Sequence, residues 1–545
     1  MPYWYICWGF TVTFGIRYLM WLWGILAWQH LWFVAFPFFI AELWMLCYFA
    51  TGPLFRLTAF MRERFSRDSN SGDGKNIPHL QGEHPYVAVV IPVCNEPIED
   101  VHRSVRATLA IDYPHERMCI IIADDGRNEE LTKYASEWGV TYLTHPPHTE
   151  AKAGNLNRAL AYLKDHWPCE WLLVIDAGDT IEPDVMAHVS PHLRDSRIGY
   201  VQVERGFTFV ESKLPADARY FYEVIMARRE RMGSAFACGS GAFWRIEALQ
   251  DIGGFSTWNL VEDLTTSYML QQKGWRGKYV FGEPLHSSEY VSDLPRLLKQ
   301  RWQWAVDTFR LFFWKNPLLQ KSMKWVVRWD YAEMGMMYLL AFPTLTLSAT
   351  PIVMILWPDA LFGDGEEHVF LYWCHYLPVF CMKMVTEWIE FRRNHVPFTY
   401  WRRQMSLFTG LAPVFCHAAL RTLVSGSNRK PCYQATGKNQ QRGFFLGHIP
   451  FQAVWFFGAI GIVWYGFYSQ HITPLALFTS SIWSLRSAWL LLPFIVAAAT
   501  TSSKMNNMLW RVVTIGTFVS GWAVLATEFS AVYAAVERMI LNYLS

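Results

Sequence analysis

Apolar residues form long blocks at both ends of the chain and only short runs in its middle. Roughly Tyr5–Trp28 and Leu31–Phe55 are two nearly continuous apolar stretches. Each is long enough to cross ~30 Å of hydrocarbon. Arg17 and Glu42 lie inside them. Comparable blocks return at about Tyr331–Trp357, Val369–Val385, Pro450–Tyr468, Pro474–Ala499 and Leu509–Ala531, with Arg486 inside one of them. Residues 68–84 are polar and Gly-rich, as in a linker. From 85 to about 310 the pattern is that of an α/β domain. Val87–Pro92, Met118–Ala123 and Trp171–Ile175 are short runs rich in Val, Ile and Leu, as in buried parallel strands.

Charge orients this pattern. Arg56, Arg62, Arg64 and Arg67 follow the second block, and 389–443 carries Arg392, Arg393, Arg402, Arg403, Arg421, Arg429, Lys430, Lys438 and Arg442. Loop 358–368 instead holds four acidic residues and no Lys or Arg. The excess of Lys and Arg on cytoplasmic loops places the middle domain, 389–443 and the N-terminus inside, and 358–368 and the C-terminus outside. The start of the chain has neither the basic region nor the cleavage site of a secretory signal. The expectation is about seven spans in a multi-pass inner or plasma membrane protein. Its segments are 1–56 (two spans), 57–84 (linker), 85–310 (cytoplasmic domain), 311–388 (interfacial helix and two spans), 389–446 (cytoplasmic interface helix and loop) and 447–545 (about three spans).

Composition agrees: 52% of the 545 residues are hydrophobic and only 17% are charged, against ~25% in a soluble domain. A net charge of +2 gives no field for nucleic acid. Ten Cys without a CxxC pair suggest neither a zinc site nor a disulfide framework.

The candidate chemistry lies where the short strands end. The three runs lead into Asn95–Glu96, Asp124–Asp125–Gly126 and Asp176-Ala-Gly-Asp179. Ligands of open α/β sheets sit beyond the carboxyl ends of strands. Acids gathered there call for a compensating cation, and a divalent metal carrying phosphate oxygens is economical; Asp and Gly also serve as ordinary caps and turns. No Walker A, GxGxxG, HExxH or GxSxG motif is present. Lys152-Ala-Gly-Asn-Leu-Asn157 opens a helix with a cation, suited to a diphosphate or to a capping turn. Glu262–Asp263 precedes another helix, where Asp263 is either an N-cap or a general base. Gln300-Arg301-Trp302-Gln303-Trp304 offers a cation and indole faces for phosphate and sugar, or an aromatic anchor at a membrane surface.

In order, IPVCNEP (91–97), DDG (124–126), KAGNLN (152–157), IDAGD (175–179), FACGSG (236–241), VED (261–263) and QRWQW (300–304) resemble the processive family 2 glycosyltransferases. Bacterial cellulose synthase catalytic subunits come nearest, with curdlan and mixed-linkage glucan synthases beside them. The resemblance spans roughly residues 14–500, and KPCYQATGK (430–438) looks like the gating loop of β-glucan synthases.

The resemblance implies a GT-A glycosyltransferase domain, an α/β fold with a mostly parallel sheet, inserted between transmembrane helices. It implies a processive inverting enzyme that polymerises UDP-glucose into a β-glucan and moves the growing polysaccharide across the lipid bilayer. Asn95, Glu96, Gln300 and Arg301 would serve the UDP-sugar, with Asp124 or Asp125 on uridine and Lys152 on the diphosphate. Asp176, with Asp179, would meet Mg2+ or Mn2+. Cys238, Gly239 and Trp304 would receive the acceptor, and Asp263 would be the base beside Glu262. Tyr433, Thr436 and Lys438 would close over the nucleotide. An accessory periplasmic subunit or an oligomer is a compatible partner. The chain departs from the family pattern at Cys94, at Gly178, where DxD has its second Asp, and at Gln303, where QxxRW has Arg. Rival expectations are a hyaluronan- or chitin-type synthase using a UDP-N-acetylhexosamine, a non-processive lipid glycosyltransferase, and a catalytically degenerate membrane subunit.

Overall fold

The computed structural model describes residues 2–26, 28–65, 84–144, 150–208, 218–289, 291, 293–362, 366–428, 443–469, 471–499 and 504–544. The three apolar runs of the middle domain are strands β1 (Val87–Val93), β2 (Met118–Asp124) and β4 (Trp171–Val174). They join β3 (Thr141–Thr144), β6 (Ile198–Val203), β8 (Ala242–Arg245) and β9 (Arg276–Val280) in one sheet of order β3-β2-β1-β4-β8-β6-β9. Pairing is parallel throughout except where β8 runs antiparallel to β4 and β6. Alternation along β1 explains why both faces are covered. Val87, Val89 and Ile91 join one core with Val101, Val105 and Leu131. Ala88 and Val90 face another core with Ala153, Leu156 and Ala159. Burying each Val or Leu contributes about 1.5–3 kcal/mol. A second sheet, β5 (Thr180–Ile181), β10 (His286–Glu289) and β7 (Arg205–Thr208), stands beside the first, in the order β5-β10-β7.

Seven helices among the described residues are long and apolar enough to cross a membrane: Trp32–Gly52, Trp325–Leu356, Glu366–Arg393, Thr399–Ser425, Pro450–Ser469, Pro474–Ala498 and Met508–Thr527. The number matches the expectation and the membership does not. The helix Pro2–Ile25 is not among the seven, whereas Thr399–Ser425, expected as a cytoplasmic interface helix, is. Its Arg402, Arg403 and Arg421 lie near the ends, so 404–420 carries no Lys, Arg, Asp or Glu. The second N-terminal helix runs to Phe65, past the expected boundary at 56. Arg486 sits mid-helix in Pro474–Ala498 with its guanidinium over the Trp483 ring at 5.7 Å.

The domain is fastened to these helices at two places. The helix Leu294–Trp314, which carries QRWQW, shares a core with Leu411, Phe415, Phe456 and Phe494 of the helical bundle. Trp302 donates to His417 Nδ1 at 3.2 Å. Elsewhere Arg229 meets Asp330 at 3.1 Å, Arg228 meets Glu333 at 3.1 Å, and Ser234 donates to Asp330 at 2.5 Å. Asp330 is fully buried.

Candidate active site

The turn after β2 gives its two acids different work. Asp124 accepts hydrogen bonds from the Gly126 N–H (2.6 Å), the Asn128 N–H (2.8 Å) and the Tyr142 hydroxyl (2.8 Å), so its carboxylate organises the turn. Asp125 faces the Arg158 guanidinium. A Cβ on Gly126 would come within 2.8 Å of the Asn95 backbone N, which packs this turn on the one after β1. There Asn95 adopts φ 66° and Glu96 accepts the Cys94 N–H.

Four expected residues converge. Lys152, at the second position of the helix Ala151–His166, places its ammonium 2.6 Å from Asp176 and 3.3 Å from Glu262. A Cβ on Gly239 would lie 3.2 Å from Asp263 Oδ2 and 3.5 Å from Lys152 Nζ, so this backbone forms the wall over both groups. Gly239 has φ 84°, a left-handed conformation that glycine adopts without strain. Burial opposes the Lys152 charge, but Asp176, Glu262 and Asp263 outweigh it and raise the pKa above the ordinary lysine value. Burial, then the Glu262 charge, pushes the Asp263 carboxyl well above the usual carboxylate range, against the pull of Lys152. The helix Glu262–Gln272 has Val261 at its N-cap position, so Asp263 is not the cap. Its Oδ1 accepts the Leu264 N–H at 2.5 Å. A carboxylate whose pKa is raised binds a proton more tightly, so in its ionised form it is the stronger base.

The loop carrying Cys238 and Gly239 is held from beneath. Gln202 accepts the Cys238 N–H at 2.7 Å and donates to the Ser240 carbonyl at 3.0 Å. Arg205 donates to the Cys238 carbonyl at 3.2 Å. Burial and the Asp263 charge keep the Cys238 thiol protonated. The Arg205 guanidinium lies over the Tyr222 ring at 5.5 Å; burial pushes the Tyr222 hydroxyl up to about 12, Arg205 and Arg301 pull it down, and Cys238 and Asp263 push it up. Arg301 stacks on Trp304 at 4.4 Å, and Gln300 lies half-buried beside it.

The acid turn after β4 differs from expectation. Asp176 keeps a side chain 41% exposed at the mouth, while Asp179 is 11% exposed and lies 3.1 Å from His286 Nε2. Gly178 has φ 90°, which a second Asp of a DxD element would adopt only under strain. No group of three His, Cys, Asp or Glu side chains among the described residues is placed to hold a metal ion. The gating-loop residues Tyr433, Thr436 and Lys438 lie outside the described residues. Sequence reasoning missed Gln202, Arg205, Tyr222 and His286, which lie in no motif and which only the fold brings beneath the loop, and it gave no role to Ser240 within FACGSG.

Residues 84–306 match the model of the family described as Glycosyltransferase like family 2. The domain is a family 2 glycosyltransferase. Cellulose synthase 1 of Komagataeibacter xylinus is 26% identical over 461 residues, covering 79% of this chain and 28% of that protein. The cellulose synthase catalytic subunit [UDP-forming] of Pseudomonas fluorescens (strain SBW25) is 28% identical over 300 residues, covering 53% of this chain and 40% of that one. The chain thus spans less than half the length of the relatives it matches, and it is cellulose-synthase-like over what it spans. A mannosyltransferase from Pyrobaculum calidifontis, solved with GDP-Man and Mn2+, superposes with a TM-score of 0.51 over 71% of this chain and 99% of that one, at 16% identity. This family 2 glycosyltransferase domain therefore has the GT-A fold, set between membrane helices.

Proposed function

We propose that this multi-pass membrane protein is a processive inverting glycosyltransferase that transfers glucose from UDP-glucose to a growing β-glucan and passes the polymer outward. The observation that carries this reading is the meeting of Lys152, Asp176, Glu262 and Asp263 under the Gly239 loop at the carboxyl ends of the strands. It stands in a chain similar to cellulose synthases. Asp263 takes the proton of the acceptor hydroxyl. The freed oxygen attacks the anomeric carbon from the face opposite UDP, forming one glycosidic bond as the bond to diphosphate breaks. Lys152 leaves its acids for the departing diphosphate, where a preorganised cation stabilises the charge that develops. Asp125 holds uridine, Arg301 supports the diphosphate, and Cys238 and Trp304 flank the acceptor. Tyr433, Thr436 and Lys438 close over the nucleotide.

A divalent cation fits in part. The partly exposed carboxylate of Asp176, paired with Lys152 at 2.6 Å, would hold Mg2+ or Mn2+ together with phosphate oxygens once Lys152 turns to the diphosphate, a common arrangement for Mg2+, and the ion would neutralise the leaving diphosphate. The catalytic domain and 389–446 lie on the cytoplasmic side in this reading, on the strength of their Lys and Arg, and Thr399–Ser425, although long and apolar enough to cross, lies along the membrane surface instead. Alkaline phosphatase fused after residue 310 should be inactive, and fused within 358–368 active; the reverse pattern would overturn the orientation. The function is tested by giving the purified protein in nanodiscs UDP-[14C]glucose. A polymer degraded by β-glucanases is expected. Incorporation from UDP-N-acetylglucosamine alone would overturn the assignment.

A further inference from the structure

His286 is fully buried and belongs to no motif in the sequence. Its Nε2 lies 3.1 Å from Asp179 Oδ2 and 2.8 Å from Ser240 Oγ. Ser240 Oγ in turn accepts the Asp176 N–H at 2.9 Å. A carboxylate can only accept, so the Nε2 nitrogen carries the hydrogen. The backbone repeats this junction. His286 opens β10, pairs with Ile181 two residues beyond Asp179, and pairs on its other side with Arg205, which supports the Cys238 carbonyl. Gly241 has φ 74°, and a Cβ there would come within 2.9 Å of the His286 ring. Two residues away, Gly239 walls Asp263 and Lys152. One imidazole therefore touches both the donor-side acid turn and the loop that faces the base.

We propose that His286 is a positioning residue that ties the turn 176–179 to the loop 238–241, and that Asp179 serves this tie rather than a cation. An Asp179 turned outward to a metal would strand a buried imidazole N–H without its carboxylate acceptor. Gly178 has no side chain to take its place. Asp176 is then the single carboxylate this turn offers to a metal, and it moves with Gly239 as one unit. The inference deepens the proposed reaction and rests on that reading for its kinetic arm only.

The test uses the full chain in nanodiscs. Asp179→Asn keeps an oxygen that can accept from His286 but removes the charge a metal needs; Asp176→Asn is the comparison. Calorimetry of UDP binding across Mn2+ concentrations reads the metal without requiring any sugar transfer. Asp179→Asn should leave the half-saturating Mn2+ concentration within about threefold of wild type, and Asp176→Asn should raise it at least about tenfold. An equal rise in both would make Asp179 a ligand and overturn the proposal. In the kinetic arm, His286→Ala should lower kcat at least about tenfold while the UDP Kd stays within about threefold, and His286→Gln, whose amide N–H can occupy the Nε2 position, should restore part of the rate. Unchanged kcat in His286→Ala would also overturn it. If that variant does not fold, a folded His286→Gln with a rate no better than one-hundredth of wild type is the overturning result. If wild type makes no polymer from UDP-glucose, the proposed function fails while the Mn2+ arm still decides the role of Asp179.

Discussion

Replacing Asp263 by Asn separates chemistry from architecture at the centre of the site. The amide keeps the volume, and its oxygen can still accept the Leu264 N–H that Asp263 takes at 2.5 Å. What it loses is the ability to accept a proton. General bases contribute about 10²–10⁴-fold, so turnover should fall at least ~100-fold, which at 1.36 kcal/mol per tenfold is about 2.7 kcal/mol of transition-state stabilisation. Stability should move the other way. Burial and Glu262 raise the folded-state pKa of Asp263 above its unfolded value. The folded state then binds the proton more tightly, so this group's contribution is present below the unfolded pKa and lost as pH rises through the raised one. An amide cannot lose it. Asp263→Asn should therefore melt no lower than wild type at pH 8 and lose its advantage toward pH 4. Polymer synthesis from labelled UDP-glucose, UDP calorimetry and melting curves at pH 4–9 together check this. Near wild-type turnover with normal UDP binding would refute the base assignment. A variant that melts well below wild type at pH 8 would refute the electrostatic argument.

Gly178→Ala should cost about 1–3 kcal/mol in thermal denaturation, because φ 90° is strained for any residue with a Cβ, and Gly178→Asp should not increase activity despite restoring a DxD sequence. Asp330→Ala leaves Arg228 and Arg229 without their shared buried carboxylate and should destabilise by about 3–5 kcal/mol, read as a lower melting temperature and more rapid proteolysis of the domain. Thr436→Ala combined with Lys438→Ala should reduce UDP-glucose turnover at least ~10-fold with unchanged melting, and full activity would remove the gate from the mechanism.

Short Val- and Ile-rich runs ending in acids disclosed the parallel centre of the sheet, because buried parallel strands carry their signal in a few contiguous residues. The antiparallel insertion of β8 between β4 and β6 was not legible: AFWR is four residues long, and its partners are remote in sequence. Among the site residues, Lys152, Asp176, Glu262 and Asp263 were all named from motifs and all meet. Motif spacing could not tell Asp124 from Asp125, because their difference lies in which one Gly126, Asn128 and Tyr142 engage. Asp179 reads as a metal ligand in one dimension, and it faces a histidine 107 residues away in three. The helix Thr399–Ser425 combines arginines near its ends with an apolar middle, so its charge count and its hydropathy point to different places for it.

The buried cluster of Arg228, Arg229, Asp330 and Glu333 also limits how such a chain can be rearranged. Its cations belong to the catalytic domain and its anions to the helix Trp325–Leu339. Cutting the domain out at 310 would leave Arg229 and its neighbour facing a surface that formerly supplied their counter-charges. A chimera joining this domain to another protein's membrane segment inherits the same defect unless the acids travel with it. Exchange at this junction is therefore tolerated in matched sets and penalised one residue at a time, so laboratory recombination should place its crossover after Glu333 rather than at the end of the sheet.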